Sequence, residues 1–262
     1  MSDLVKRRIL MIKQVIISAH QLGKSFGEKN NQETIFSHLN LEIYQGDFTV
    51  IMGASGAGKS TLLYSLSGMD KPTEGEVYID GTNITQMTSD QLAKFRRKQC
   101  GFVFQQIYLM QEQNLMDNVL IAGTLLTRKR KELLAQAKNL FAQVAISEQT
   151  QAKLPSQVSG GEAQRAGIVR AIINQPNILF ADEPTGALNS ANSDAVLDVF
   201  SSLHQGGQSI VMVTHDKKSA LRGNRIIYLK DGKIFGECQF DEALGDKERQ
   251  KKFDQFLLEM GW

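Results

Sequence analysis

Gly53-Ala54-Ser55-Gly56-Ala57-Gly58-Lys59-Ser60 has the spacing G-x-x-x-x-G-K-[ST] and follows Phe48-Thr49-Val50-Ile51-Met52, an apolar run that reads as a buried strand. Glycines let successive backbone N–H groups turn inward around phosphate oxygens. A helix starting near Lys59 aims the positive end of its dipole at the same anion. In that arrangement Lys59 reaches the β and γ phosphates of a nucleoside triphosphate, Ser60 ligates Mg²⁺ and Thr61 touches the α phosphate. Gly53, Ser55, Gly56 and Gly58 shape the cradle.

Two further stretches can handle phosphate chemistry. Ser159-Gly160-Gly161-Glu162 opens a helix expected to run to about Ile173, with Ser159 as N-cap and two glycines leaving the first backbone donors unobstructed. By itself a Ser-Gly-Gly turn reads equally as an ordinary capped helix start. Ile178 to Ala181 is a short apolar run after Gln175-Pro176-Asn177, so Asp182 and Glu183 fall at the carboxyl end of a parallel strand, where ligands collect in open α/β sheets.

The order of these three segments, with Val158 to Arg165 reading Val-Ser-Gly-Gly-Glu-Ala-Gln-Arg, resembles the ATP-binding subunits of ABC transporters over nearly the whole chain. The resemblance implies a dimer in which the Ser159-Gly160-Gly161-Glu162 corner of one copy binds the γ phosphate of ATP held by the phosphate loop of the other. It implies that Asp182 holds the Mg²⁺ shell and that Glu183 is the general base for the attacking water, a role typically worth about 10²- to 10⁴-fold in rate. Gln105, after Gly101-Phe102-Val103-Phe104, matches the glutamine that senses Mg²⁺ and the water. His215, after the strand Ser209 to Thr214, matches the switch histidine at the γ phosphate. Phe26 matches the aromatic that stacks on adenine, although a Phe at a strand end also reads as core. Asn189 departs from the family pattern, which has aspartate there; the side chain keeps its hydrogen bonds and loses its charge.

The elements that must position these residues can be sketched from pattern. The expected fold class is α/β: a P-loop NTPase core of mixed, mainly parallel sheet, with an antiparallel β subdomain and an inserted α-helical subdomain. Gln14 to Gln21 reads as a strand, and Asp80-Gly81 as the turn after Glu76 to Ile79. Residues 1–262 form a single nucleotide-binding domain, with the helical subdomain at about 111–166 and a helical tail at about 241–262, where Phe253, Phe256, Leu257 and Met260 recur at helical spacing. Leu133, Leu134, Ala137, Leu140, Phe141 and Val144 mark one face of a further helix.

Composition narrows the function classes. A net charge of +2 on 262 residues argues against a dedicated nucleic-acid surface, and the basic run Arg128 to Lys131 reads as a solvated helix start. No uninterrupted apolar stretch approaches the roughly 18 residues needed to span a bilayer. Cys100 and Cys238 have neither metal spacing nor secretory context and read as reduced thiols. Lys6 to Ile12 is basic then apolar but lacks a cleavage site, and Met11 is an alternative initiator.

Phe95-Arg96-Arg97, the run from Gly101 to Gln105, and Ala181 to Leu188 are similar to cassettes that serve FtsX-like permeases, the LolD, MacB and FtsE types. Ile51 to Gly56 and the Phe-rich tail further resemble BceA-type cassettes. This implies ATP and Mg²⁺ as cofactors and an FtsX-like or BceB-type transmembrane permease as partner. It also implies a place on the cytoplasmic face of the plasma membrane and a sensor histidine kinase reached through the permease. Three uses stay open: powering a permease against bacitracin- or lantibiotic-type peptides, FtsE-like signalling without transport, and lipoprotein or peptide export.

Overall fold

The computed structural model describes residues 13–27, 31–241 and 243–262. The basic-apolar lead and the alternative initiator Met11 lie outside them. Two sheets carry the fold. A six-stranded sheet has the order β10-β9-β3-β8-β7-β6, and a four-stranded antiparallel sheet the order β2-β1-β4-β5. In the larger sheet β3 (Phe48–Met52), β6 (Cys100–Phe104), β7 (Ile178–Asp182), β8 (Ser209–Val213) and β9 (Arg225–Lys230) run parallel, and β10 (Lys233–Gln239) closes the edge antiparallel to β9. This is the mixed, mainly parallel α/β core expected from the sequence.

The central strands are mostly apolar because both faces are covered. Along β3, Phe48, Val50 and Met52 enter one hydrophobic cluster, and Ile51 enters the other. Strand β7 divides the same way, Leu179 and Ala181 against Ile178 and Phe180. The first cluster continues into helices α3 (Leu115–Thr124), α4 (Arg130–Gln143) and α6 (Gly160–Ile172), through Leu115, Val119, Phe141 and Ile168. The second joins the antiparallel sheet through Ile17, Leu22, Ile43 and Val77. On α4, Leu133, Ala137 and Phe141 are buried as the spacing requires, whereas Leu134 is exposed: it falls beside the stripe.

Strand β1 runs Val15–Phe26, five residues past the expected end, pairing with β2 (Glu33–Tyr44) and β4 (Glu74–Ile79). Its apolar alternation breaks at His20-Gln21, where the register shifts and Gln21 takes a left-handed φ of 48°. The bulge lets the strand continue after the pattern has stopped. Asp80 and Gly81, with φ of 48° and 72°, make the tight turn from β4 to β5 (Thr82–Asn83).

Candidate active site

Strand order brings the chemistry together. The loops after β3, β7 and β8 leave adjacent parallel strands at the same carboxyl edge, so the phosphate loop, Asp182-Glu183 and His215 converge. A cavity of about 510 Å³ lies there, lined by Ser55, Gly56, Gly58, Lys59, Ser60, Thr61, Glu183 and His215, together with Ile35 and Trp262. That volume suits a nucleotide-sized ligand.

The loop is held open by backbone that only glycine tolerates easily. Gly58 has φ of 89° as the N-cap of α1 (Lys59–Ser67), and a Cβ there would meet Ile35 Cγ2 at 2.6 Å. At Gly53 a Cβ would meet the Leu229 carbonyl oxygen at 2.2 Å, so the loop can lie against β9 only without a side chain. No side chain caps α1, leaving its first N–H groups available to an anion. The Lys59 ammonium is buried and donates to the Gly53 and Ala54 carbonyls at 3.0 and 2.9 Å. Burial lowers its pKa from the ordinary lysine value, opposed by the nearby Glu183 and Asp182 carboxylates.

Ser60 and Asp182 meet: the hydroxyl donates to Asp182 Oδ1 at 2.8 Å, and the Tyr64 hydroxyl donates to Oδ2. Burial and that hydrogen bond raise the Tyr64 phenol well above its usual range. A hydroxyl beside a carboxylate is a hard oxygen pair suited to Mg²⁺, which is held by one or two such groups and completed by phosphate oxygens and water.

Glu183 directly follows β7 with φ of 45°, a left-handed conformation that costs energy for a non-glycine residue. Its backbone N–H donates to the Val213 carbonyl at 3.0 Å, and Thr214 Oγ1 donates to its Oε2 at 3.2 Å. His215 Nδ1 stands 2.9 Å from Oε1. The carboxylate is therefore aimed from two sides, while the ring of His215 stays exposed.

The other expected residues stand outside the lining of this cavity. Gln105 is exposed and packs on the loop after Glu183, where a Cβ on Gly186 would meet its Nε2 at 2.9 Å. Phe26 is exposed at the end of β1 with the Lys24 ammonium over its ring at 4.7 Å, and it does not line the cavity. Ser159, Gly160, Gly161 and Glu162 are also absent from the lining. They sit against the segment after β7, Gly160 facing Leu188 and Gly161 facing the Asn192 side chain.

Three details go beyond the sequence reading. Ser159 and Glu162 close a capping box: the Ser159 N–H and hydroxyl both donate to Glu162 Oε2 at 2.8 Å, and the Glu162 N–H donates back at 3.2 Å. The bonds from Ser159 hold the Glu162 carboxyl below the usual range. The S-x-x-E spacing signals that box. Asn189 is the N-cap of α7 (Ser190–Gln205), accepting from the Asn192 N–H at 3.0 Å, a task any Asn or Asp performs. Gln164, buried in α6, donates from Nε2 to the Phe104 carbonyl at 3.0 Å and the Pro184 carbonyl at 2.7 Å. It ties the Ser159 helix to the residue before Gln105 and the residue after Glu183. No local spacing announces such a bridge.

Comparison with known proteins agrees with this geometry. The family model described as ABC transporter matches residues 36–186. The lipoprotein-releasing system ATP-binding protein LolD of Aquifex aeolicus is 41% identical over 78% of this chain and 90% of its own length. The bacitracin export ATP-binding protein BceA of Halalkalibacterium halodurans is 36% identical over 94% and 96%. The macrolide export ATP-binding/permease protein MacB of Aggregatibacter actinomycetemcomitans is 40% identical over 86% of this chain, which spans only 35% of that protein. A solved dimeric ATP-binding cassette in a post-hydrolysis state bound to ADP and Pi superimposes with a TM-score of 0.79 at 36% identity, covering 86% of this chain and 99% of that one.

Proposed function

Because this chain belongs to the ABC transporter family, as an ATP-binding subunit of the kind that serves FtsX-like permeases, and is an ATPase, we propose that Glu183 drives its turnover by positioning and deprotonating the attacking water. One observation carries this assignment: a carboxylate at a left-handed backbone position, fixed by Thr214 and His215, on the wall of the cavity that holds Lys59. The Lys59 ammonium leaves the loop carbonyls for the β and γ phosphates. Backbone donors of Gly56, Gly58 and α1 receive the phosphate oxygens, and Thr61 contacts the α phosphate. Ser60 and Asp182 hold Mg²⁺, which supplies neutralising charge to those oxygens. His215 contacts the γ phosphate through the ring nitrogen not facing Glu183. Gln105 reaches the water and metal from the loop against Gly186, and Phe26 offers an exposed face to adenine.

The site is completed by a second copy, whose Ser159-Gly160-Gly161-Glu162 corner closes over the γ phosphate. That corner is absent from the lining of the chain's own cavity, which supports the reading. Residues 1–262 act as one nucleotide-binding domain, with helices at about 111–166 forming a subdomain that meets the permease and a tail at about 241–262. Tyr108 and Met110, shortly after Gln105, and Ile121, Leu125 and Leu126, on and just after α3, are exposed apolar side chains of the kind that could receive a short helix of an FtsX-like or BceB-type permease. Among the described residues no helix is long and apolar enough to cross a membrane, so attachment at the cytoplasmic face is through that partner. BceA-type similarity over nearly the full length supports a role against bacitracin- or lantibiotic-type peptides, with a sensor histidine kinase coupled through the permease. LolD-type similarity favours a second reading, lipoprotein or peptide export.

The test is ATP hydrolysis by the chain with its permease, comparing wild type with Glu183→Gln. ATP binding is expected to persist while turnover falls about 10²- to 10⁴-fold. Unchanged hydrolysis would remove Glu183 from the role of base. Growth under bacitracin, compared with lipoprotein release, separates the two substrate readings.

A further inference from the structure

The chain's single tryptophan stands in the nucleotide cavity, far in sequence from every phosphate-handling segment. Helix α9 (Asp246–Met260) brings it there. Phe253, Phe256 and Leu257 are buried, Phe240 meets Phe253 edge to face, and the Arg249 guanidinium lies 4.6 Å over the Phe240 ring. Helix and edge strand approach closely: a Cβ on Gly236 would meet Met260 Sδ at 2.5 Å. Gly261 ends the helix with φ of 77°, and the Trp262 N–H returns to the Leu257 carbonyl at 3.0 Å, which turns the chain sharply toward the phosphate loop.

The indole is then fixed by β9. Its ring meets Tyr228 edge to face at 6.0 Å, and Tyr228 is paired in register with Met52, the residue directly before Gly53. Trp262 consequently shares a wall with Ser55, Gly56, Lys59, Glu183 and His215, while Gly261 borders the adjoining recess with Ala54 to Ala57. Trp262 keeps 37% relative exposure while lining the cavity, so a ligand entering there can cover part of it. An indole supplies a broad apolar face and one N–H donor, which suits a ligand that is part ring and part phosphate.

We propose that Trp262 is a nucleotide-contacting residue of the phosphate-loop cavity, through which helix α9 is coupled to occupancy of the site. The inference rests on the assignment of that cavity as the ATP site. Being the only tryptophan, its emission reports the contact directly. In the Glu183→Gln background, added ATP should change the emission saturably, at the concentration where equilibrium dialysis with labelled ATP shows binding. Trp262→Ala should weaken ATP binding by about two- to tenfold, the range of one aromatic contact. Trp262→Phe should recover part of that loss, with the thermal unfolding midpoint of each variant as a check on folding.

ATP binding by dialysis with unchanged emission and unchanged affinity in Trp262→Ala would overturn the inference while leaving the nucleotide site intact. Tighter binding in Trp262→Ala would also overturn it, showing an indole that obstructs entry. A chain that binds no ATP by dialysis would remove the site and this inference together.

Discussion

At the residue scale the site turns on one buried cation. Lys59 lies in the loop with its ammonium donating to two carbonyls, and burial makes the charged form harder to keep. An anionic ligand favours the charged amine, so nucleotide binding and protonation of Lys59 support each other. The sign follows: ATP affinity is greatest below the lowered Lys59 pKa and falls as pH rises through it, in a window below the ordinary lysine value of 10.5. Equilibrium dialysis between about pH 7 and about pH 10 should show that loss, and Lys59→Arg, which keeps its charge, should bind more weakly but with a flatter profile. A wild-type profile as flat as the arginine variant would remove Lys59 from the anion contact. The loop, Asp182-Glu183 and His215 were legible in the sequence because each combines a residue type with a neighbouring strand, and chemistry and topology agree there. Trp262 was not, because nothing local links a tail residue to a loop two hundred positions away. Phe26 is exposed, not core, and stands apart from the cavity lining.

At the element scale the informative connection is α6. Its N-terminus carries the Ser159 corner and its middle carries Gln164, whose amide bridges the strand end before Gln105 and the turn after Glu183. Further along, the Arg170 guanidinium donates to the Ile107 and Tyr108 carbonyls at 2.7 and 2.6 Å, holding the other side of the same loop. The helix that carries the Ser159 corner is thus tied by direct hydrogen bonds to the backbone beside Gln105 and Glu183. Gln164→Leu removes the bridge and leaves the Phe104 and Pro184 carbonyls unpaired, each costing roughly 1–3 kcal/mol where burial denies them water. The expected outcome is a lower unfolding midpoint together with a fall in turnover larger than the change in ATP affinity. Turnover reduced only in proportion to the folded fraction would make Gln164 merely structural. The Ser159 helix, α4 and the tail helix were readable from capping and spacing. Their joints were not, since a glutamine bridging two carbonyls depends on three segments distant in sequence.

At the scale of the whole molecule, the sheet order sets two groups of expected phosphate-handling residues apart. Strands β3, β8 and β7 place the loop, His215 and Glu183 side by side, but α6 directs the Ser159 corner toward Leu188 and Asn192, away from the chain's own cavity. The division of the core was foreseeable from continuous apolar strands, whereas the extension of β1 past its polar break was not, because a bulge conceals the pairing from any simple alternation. If two copies complete each other, association must depend on nucleotide and on both halves of the composite site. Light scattering of Glu183→Gln should show monomers without nucleotide and dimers with ATP and Mg²⁺. Adding Ser159→Arg, which puts a bulky side chain on the closing corner, should abolish the dimer while dialysis shows ATP still bound. A chain carrying Glu183→Gln and Lys59→Ala should likewise remain monomeric, for lack of fuel to close over. Mixing those two variants restores one intact composite site, the Lys59 loop of the first facing the Ser159 corner of the second. Heterodimers should therefore form in the mixture where neither variant dimerises alone. Dimers of the Ser159→Arg chain, or a mixture as monomeric as its parts, would place the corner outside the interface.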